Sequence, residues 1–278
     1  MSPSASESPL TILDGPLGTE LSARGVSIDS PSWSAEAIRM APETIAQIHR
    51  DYVAAGATIH TANTFRTRRR AVGRPWREMT DRAVQIAKQS VPKTHRVAGS
   101  IAPIHDCYRP DLSPRDPRSE HREMATQLVD SGCDLLICET FPSPREARIA
   151  TEEAVRTGLE TWVALTAGPN TDLMTPPQMA QAALQMVEAG AAAVLVNCTP
   201  ASQSARFLQA IANTGIAVPI GVYANAGSLQ ERIGWEPLTE AGIAQYQQYA
   251  RTWVEIGATL IGGCCGTGPR HIQALTEL

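Results

Sequence analysis

The feature that most constrains the fold is a regular alternation of short apolar segments with longer helical patterns. Each apolar run is hydrophobic throughout instead of alternating with polar residues, which is typical of parallel strands buried on both faces. Eight such runs occur along the chain, at residues 11–14, 57–61, 96–101, 134–139, 161–166, 192–197, 218–223 and 258–262. Helical patterns lie between them, at residues 42–55, 120–131, 144–157, 176–189, 202–214 and 239–256.

Glycine ends many of these helices just before the next strand begins. The positions are Gly132, Gly158, Gly190, Gly215 and Gly257. A repeated helix, glycine and buried strand indicates successive βα units, and eight units predict a single (β/α)8 TIM barrel. A doubly wound open sheet is the alternative, since a sequence pattern does not prove closure, although no GxGxxG motif follows the first strand. We predict a flexible tail over residues 1–9 and one barrel domain over residues 10–278.

Composition excludes several classes of protein. A hydrophobic fraction of 43% supplies a sizeable core, so the chain is not disordered as a whole. The formal net charge of −4 lacks the basic excess of a nucleic-acid binder. No apolar run approaches the roughly 20 residues that span a membrane, and the N-terminus has no signal-peptide pattern. We therefore expect a cytoplasmic protein with reduced cysteines and small-molecule partners, and the sequence does not specify its oligomeric state.

Three polar, proline-rich stretches follow predicted strands and precede predicted helices. They cover residues 109–120, 168–177 and 228–237. In a barrel, such βα loops lie on the catalytic face, at the carboxyl ends of the strands. One of them is a candidate lid over the site.

The most informative motif is GGCCGT at residues 262–267, at the end of the eighth predicted strand. Neighbouring side chains of a regular strand point in opposite directions, so Cys264 and Cys265 can converge only where the flanking glycines let the backbone turn. Cys198 ends the sixth strand on the same rim. Three thiolates there could hold Zn²⁺ and leave its fourth position open for chemistry. Two other interpretations remain at this point: the cysteines pack as small hydrophobic residues, or the turn binds a phosphate.

The chain resembles the homocysteine S-methyltransferase family. The resemblance rests on DGPLGTEL at residues 14–21, TANTF at 61–65, AGSI at 98–101, ET at 139–140, VNC at 196–198, YANAG at 223–227, GGCCGT at 262–267 and PRHI at 269–272. It implies a (β/α)8 barrel in which Cys198, Cys264 and Cys265 bind zinc. It also implies transfer of a methyl group to the thiol of L-homocysteine, which gives methionine. The chain departs from many relatives at Pro16 and Ala224, and Phe65 and Arg66 occupy a stretch where some relatives have a tyrosine.

Location and resemblance together suggest the substrate-binding residues. Asp14 and Gly15 end the first strand, and the resemblance places this turn against the amino-acid substrate. Glu139 ends the fourth strand, where its carboxylate could pair with the substrate ammonium. Polar residues at the rim that could orient the substrate or other site groups are Thr61, Asn63, Asn197 and Asn225.

The methyl donor is the least constrained part of the hypothesis. Phe65, Phe141 and Tyr223 follow or end strands on the catalytic rim, and aromatic rings there favour a cationic donor through cation–π contacts. We therefore predict a sulfonium donor, S-methylmethionine or S-adenosylmethionine. The alternatives are methyltetrahydrofolate or betaine as donor, a phosphate-binding barrel lyase or isomerase with incidental cysteines, and a non-enzymatic zinc-binding barrel.

The remaining charged and imidazole side chains receive structural interpretations. The basic run after Phe65 is interpreted as a solvated helix face, and contact with an anionic donor tail is the alternative; its members are Arg66, Arg68, Arg69 and Arg70. His60, His105 and His271 lack the spacing of metal ligands, and His271 is expected at a helix start.

Overall fold

The structure, a computed structural model, describes residues 10–28, 32–226 and 239–278. Its described residues form one sheet of eight parallel strands. The strands are β1 (Thr11–Ile12), β2 (Ile59–Thr61), β3 (Arg96–Ile101), β4 (Leu135–Phe141), β5 (Thr161–Leu165), β6 (Ala193–Pro200), β7 (Ile220–Asn225) and β8 (Leu260–Gly263). All eight predicted strands are therefore present, and their boundaries agree with the prediction to within three residues.

The sheet closes on itself. Its order is β1-β8-β7-β6-β5-β4-β3-β2. The first strand pairs with the last, and each strand from β2 to β7 pairs with the strand that follows it in sequence. A parallel bridge between Leu13 and Ile59 joins β1 to β2 and completes the ring. The (β/α)8 barrel is confirmed, and the doubly wound open sheet is wrong.

Helices cover the outside of the barrel between successive strands. Among the described residues they are α1 (Leu17–Ala23), α2 (Ala37–Met40), α3 (Pro42–Ala54), α4 (Arg69–Val72), α5 (Trp76–Ser90), α6 (Arg118–Asp130), α7 (Pro144–Val155), α8 (Pro176–Glu188), α9 (Ala201–Ala212), α10 (Glu240–Ile256) and α11 (Pro269–Leu275). The six predicted helices are present. The 15-residue helix α5 was not predicted, and no glycine closes it.

Two apolar layers hold the barrel together. The interior is filled by inward-facing strand residues such as Leu135, Ile137 and Leu195. Their neighbours along the strands, such as Leu136 and Val194, face outward and pack under the helices. This alternation follows from the twofold side-chain period of a strand, and it decides which residues reach the cavity at the strand ends.

Some predictions fall outside the described residues. The tail at residues 1–9 and the loop at 228–237 both lie there. Within the described ranges, none of the helices combines the length and the apolar character that a membrane crossing requires.

Candidate functional site

A cavity of about 480 Å³ opens at the carboxyl ends of the strands. Its lining includes the ends of β1, β2, β4, β6, β7 and β8 and the loops that follow them. Four cysteines, three carboxylates and several aromatic rings line it together. The cavity therefore lies where barrel enzymes carry their active sites.

Matching irregularities in β4 and β6 build one side of this cavity. The register with the neighbouring strand shifts between Cys138 and Phe141 in β4, and between Asn197 and Pro200 in β6. At these bulges Thr140 has a φ of 61° and Cys198 a φ of 46°, which side chains other than glycine rarely adopt. The bulge turns each of these side chains towards the cavity, which both residues line.

Asn197 holds the two bulges together. Its Nδ2 donates a hydrogen bond to Thr140 Oγ1 at 2.8 Å, and its Oδ1 accepts one from the Thr140 backbone N–H at 3.2 Å. Thr140 Oγ1 in turn lies 3.7 Å from Cys198 Sγ and donates to it. Asn197 is fully buried and is absent from the cavity lining. Of the two roles predicted for it, the geometry favours the orientation of another site group, Thr140, over direct contact with the substrate.

The turn after β8 brings Cys264 and Cys265 to the same side. The Thr267 hydroxyl and backbone N–H both donate to the Cys264 carbonyl oxygen, at 2.8 and 3.0 Å. Gly266 adopts a φ of 78° within this turn. A Cβ on Gly263 would lie 2.1 Å from Thr267 Oγ1, so only glycine permits this close return of the chain.

These two irregular segments bring three thiols together. The sulfur atoms of Cys198, Cys264 and Cys265 all lie within 4.8 Å of one another. Hydrogen bonds from Cys198 and then Cys264 hold the pKa of Cys265 well below its usual range, whereas the same contacts and burial raise the pKa of Cys264. One of the three sulfurs is thus already favoured as a thiolate.

The three cysteine sulfurs are suitable ligands for a thiophilic metal ion. Tetrahedral coordination with metal–sulfur bonds of ~2.3 Å places neighbouring sulfurs about 3.8 Å apart, which the cluster reaches with little movement. The three thiols open into the cavity, where a further ligand can approach. These residues could hold a metal ion with one coordination position free.

Two carboxylates face the same cavity, of which Asp14 is buried and Glu139 half-buried. Glu139 accepts hydrogen bonds from Ser100 Oγ and, at 3.0 Å, from the Tyr223 hydroxyl, and burial raises its pKa to about 7. Asp14 Oδ2 accepts the Thr61 backbone N–H at 2.8 Å, and burial raises the pKa of Asp14 well above its usual range. No cation within residues 10–28, 32–226 and 239–278 lowers either pKa. Two desolvated carboxylates that lack a positive partner among the described residues form a site suited to a ligand's ammonium group.

The other predicted polar contacts have mixed outcomes. Thr61, Gly15 and Asn225 line the cavity, and Asn225 Oδ1 has no partner among the described residues. Asn63 also lines it, but Ser34 occupies both ends of its amide through bonds of 2.7 and 2.8 Å. A Cβ on Gly15 would lie 2.5 Å from the Tyr52 hydroxyl oxygen, so the turn after β1 packs tightly on α3.

Aromatic rings line the outer part of the cavity. Phe65 lies edge-on to Trp33 with ring centroids 5.8 Å apart, and Tyr108 also lines the cavity. Tyr223 lines it as predicted, with its hydroxyl committed to Glu139.

Phe141 was predicted on the donor side, and this prediction is wrong. The bulge at Thr140 reverses the alternation of β4, so Phe141 points outward and is fully buried. Its ring packs 5.7 Å from that of His121, in the layer beneath the helices.

The basic run after Phe65 divides into two environments. Arg69 and Arg70 are exposed and form ion pairs with Glu123 and Glu120, as expected for a solvated face. Arg68 is buried and donates to the carbonyl oxygens of Phe65 and His105, so that expectation is wrong for it. Arg66 lines the cavity.

A second group of potential ligands lies behind Asp14. One ligand atom each from Asp14, His49 and His60 falls within 4.8 Å of the others. Both imidazoles are fully buried, and burial lowers the pKa of His49 to about 4 and that of His60 to about 3. His60 Nε2 lies 3.0 Å from His95 Nδ1, whereas both ring nitrogens of His49 lack a partner among the described residues.

Sequence reasoning gave no role to several residues of the cavity. Trp33, Cys107 and Tyr108 line the cavity but lie in connecting segments that no periodic pattern marks. Thr140 follows Glu139 directly in the ET motif, and this adjacency was the one feature of the sequence that could have indicated Thr140 as a residue of the site.

A closed (β/α)8 barrel with converging thiols and carboxylates at its catalytic rim defines a barrel enzyme with a thiol-rich active site. The chain belongs to the homocysteine S-methyltransferase family, whose model matches residues 11–278. It is thus an enzyme that methylates homocysteine, and the phosphate-binding lyase or isomerase alternative is set aside.

Individual relatives cover almost the whole chain. Homocysteine S-methyltransferase YbgG of Bacillus subtilis is 32% identical over 301 residues, which cover 96% of this chain and 93% of the relative. Homocysteine S-methyltransferase of Escherichia coli is 30% identical over 298 residues, with coverage of 96% and 94%. The crystal structure of the homocysteine methyltransferase MmuM from Escherichia coli in its metallated form superposes with a TM-score of 0.82 at 25% identity, and 98% of this chain and 96% of that chain are covered.

Proposed function

We propose that the chain is a zinc-dependent homocysteine S-methyltransferase that uses a sulfonium donor. The observation that carries the zinc assignment is the convergence of Cys198, Cys264 and Cys265 within 4.8 Å at the cavity. Three protein ligands and an open position are the arrangement of a catalytic zinc site. The metallated form of MmuM, a similar protein, supports a metal in this fold.

The acceptor is held by the two carboxylates. Glu139 and Asp14 lie in the cavity without a cationic partner among the described residues, and the homocysteine ammonium supplies one. Ser100 and Tyr223 fix the Glu139 carboxylate from two sides, so its orientation is set before the substrate arrives. The thiol end of the same molecule then faces the three cysteines.

The reaction joins the homocysteine sulfur to the donor methyl carbon and breaks that carbon's bond to the donor sulfur. When bound, zinc supplies the acidity that converts a thiol of pKa ~8.5 into a thiolate at neutral pH. Thr140 donates a hydrogen bond to Cys198 Sγ and so fixes the direction of that ligand. The main contribution of the chain is to hold two substrates in line, since proximity and orientation contribute up to roughly 7–11 kcal/mol to such reactions.

The lining of the cavity supports a sulfonium donor. Phe65, Trp33 and Tyr108 offer ring faces and edges in its outer part, where a cationic methyl group gains cation–π stabilisation. The sulfur that leaves a sulfonium donor departs as a neutral thioether and needs no proton, so this donor class requires no general acid. We further propose that residues 10–278 act as one barrel domain in the cytoplasm, on small-molecule substrates only.

A donor screen tests this function. The purified zinc-loaded enzyme is given homocysteine and one donor at a time: S-methylmethionine, S-adenosylmethionine, betaine or methyltetrahydrofolate, and methionine is quantified by mass spectrometry. Methionine from a sulfonium donor is expected. The donor assignment is contradicted if methyltetrahydrofolate or betaine yields methionine and neither sulfonium does. The metal assignment is contradicted if the rate of methionine formation is the same with and without zinc.

A further inference from the structure

Arg66 is a cationic side chain in the cavity that the methyl-transfer chemistry does not use. It lines the cavity, and its only hydrogen bond among the described residues is a 3.4 Å contact from Nη1 to the His105 carbonyl oxygen. Its guanidinium carbon lies 5.4 Å from the centroid of the Phe65 ring. It forms no ion pair within the described part of the chain, unlike its neighbours Arg69 and Arg70.

An arginine without a carboxylate partner, beside an aromatic ring in a cavity, is a site for an anion. The guanidinium presents a planar fork of donors that matches a carboxylate and binds it with two hydrogen bonds. Its only protein acceptor here is a neutral carbonyl oxygen at the long end of the hydrogen-bond range. The guanidinium therefore keeps most of its donors available for a ligand.

The position of Arg66 separates it from the groups that hold the acceptor. The three cysteines and the two carboxylates lie at or next to the strand ends, whereas Arg66 follows the end of β2 by five residues, in the loop that joins β2 to α4. Its contact, His105, follows the end of β3 by four residues. In an in-line transfer the donor approaches the acceptor sulfur from the outer side, with reacting atoms ~3–3.5 Å apart, so the remainder of the donor extends towards these loops.

Asp106 supplies the complementary charge on the same side. It lines the cavity, and one of its oxygens accepts the Tyr108 backbone N–H at 2.8 Å. Arg66 and Asp106 thus present one positive and one negative group to the outer cavity, which matches the carboxylate and ammonium groups of an amino acid.

Building on the proposed function, we propose that Arg66 binds the carboxylate of the methyl donor and thereby selects a sulfonium that carries an amino-acid tail. Such a donor offers a methyl group to the aromatic rings and a carboxylate to Arg66. A sulfonium without the carboxylate leaves the guanidinium unpaired and binds more weakly.

The test pairs two donors with three enzymes. The donors are S-methylmethionine and its carboxamide, in which the carboxylate is replaced by a neutral amide. The enzymes are the wild type, Arg66→Gln and the control Arg69→Gln, which removes an equal charge from an exposed position outside the cavity. KM for donor, KM for homocysteine and zinc content are measured for each zinc-loaded protein.

The wild type should show a KM for the carboxamide about ten- to a hundredfold above that for S-methylmethionine, the range expected for a charged hydrogen bond. Arg66→Gln should raise KM for S-methylmethionine by a similar factor and change KM for the carboxamide less than about twofold, because the interaction is already absent. Its zinc content and KM for homocysteine should stay at the wild-type values, and Arg69→Gln should resemble the wild type throughout.

Different failures have different meanings. Three results for Arg66→Gln overturn the inference and leave the methyl transfer intact. They are an equal rise in KM for both donors, an unchanged KM for S-methylmethionine, and a raised KM for homocysteine. If wild-type enzyme forms no methionine from S-methylmethionine or S-adenosylmethionine while methyltetrahydrofolate serves, the donor assignment itself is wrong and the inference about Arg66 is overturned with it.

Discussion

Replacing Glu139 by glutamine tests how the site holds its acceptor. The substitution keeps the shape of the side chain and removes its charge. Tyr223 can still donate to the amide oxygen, and the Ser100 hydroxyl, which donates to the carboxylate, can rotate and accept from the new amide N–H. The local hydrogen bonds are therefore retained, and the change isolates the charge that faces the substrate ammonium.

The expected loss follows from the burial of this carboxylate. A hydrogen bond that involves a charged group contributes about 1.5–3 kcal/mol, which corresponds to an increase of about ten- to 150-fold in the KM for homocysteine. Tyr223→Phe removes one neutral donor to Glu139 and keeps the carboxylate. It should cost about 0.5–1.5 kcal/mol, or up to about tenfold in the same KM.

The assay compares homocysteine with 4-sulfanylbutanoate, the same acceptor without its amino group. Methionine or 4-(methylsulfanyl)butanoate is quantified at saturating donor, and zinc content is measured on each protein. Wild-type enzyme should prefer homocysteine, and Glu139→Gln should lose that preference without losing zinc. An unchanged KM for homocysteine, or an equal loss with both acceptors, refutes the ammonium assignment.

Two further predictions concern the supports of the site. Asn197→Ala removes both hydrogen bonds that hold the Thr140 bulge, so we expect the free energy of unfolding in urea to fall by about 1–3 kcal/mol and zinc to bind about tenfold more weakly. The control Asn213→Ala, at an exposed position, should leave both quantities unchanged. Unchanged values in Asn197→Ala would contradict its role. His49 has a folded-state pKa of about 4, below the ~6.5 of an unfolded chain, so the unfolded state binds the proton first as the pH falls and stability is lost between those values. This group alone should lower the free energy of unfolding by about 2 kcal/mol between pH 7 and pH 5, and an identical pH dependence in His49→Gln would show that it does not.

The barrel could be predicted because each strand carries its own signal. Runs such as residues 161–166 and 192–197 are apolar throughout, and glycines such as Gly190 and Gly257 mark the helix ends with φ values of 99° and 115°. The pattern predicted the barrel without proving its closure, because the contacts that complete the ring, such as the bridge between Leu13 and Ile59, join distant residues that no local pattern pairs. The helix α5 was missed although Trp76, Met79 and Ala83 recur on its buried face at helical spacing, and no glycine marks its end.

The site was predictable where chemistry is concentrated in a motif. The adjacent Cys264 and Cys265 between glycines indicated a non-strand turn, and the structure shows that turn. The bulges were not predictable from the sequence. Side chains of a regular strand alternate between the two faces of the sheet, and this alternation assigns the residues beyond a bulge to the opposite face from the one they occupy. This is why Phe141 was placed in the cavity and Thr140 was given no role, although the bulge in β4 exchanges their faces. The choice between the two predicted roles of Asn197 could not be made from the sequence, because its partner Thr140 is 57 residues away along the chain.

Metal analysis of cysteine variants tests the zinc-thiolate site most directly. Zinc per chain is measured by plasma mass spectrometry on the wild type, on Cys265→Ala and on the control Cys133→Ala, which removes a buried thiol outside the cavity. X-ray absorption then counts the sulfur ligands with and without homocysteine. We predict about one zinc per chain in the wild type and in Cys133→Ala, little in Cys265→Ala, and one additional sulfur ligand when homocysteine is added. Full zinc occupancy in Cys265→Ala, or a sulfur count that homocysteine leaves unchanged, would contradict the assignment.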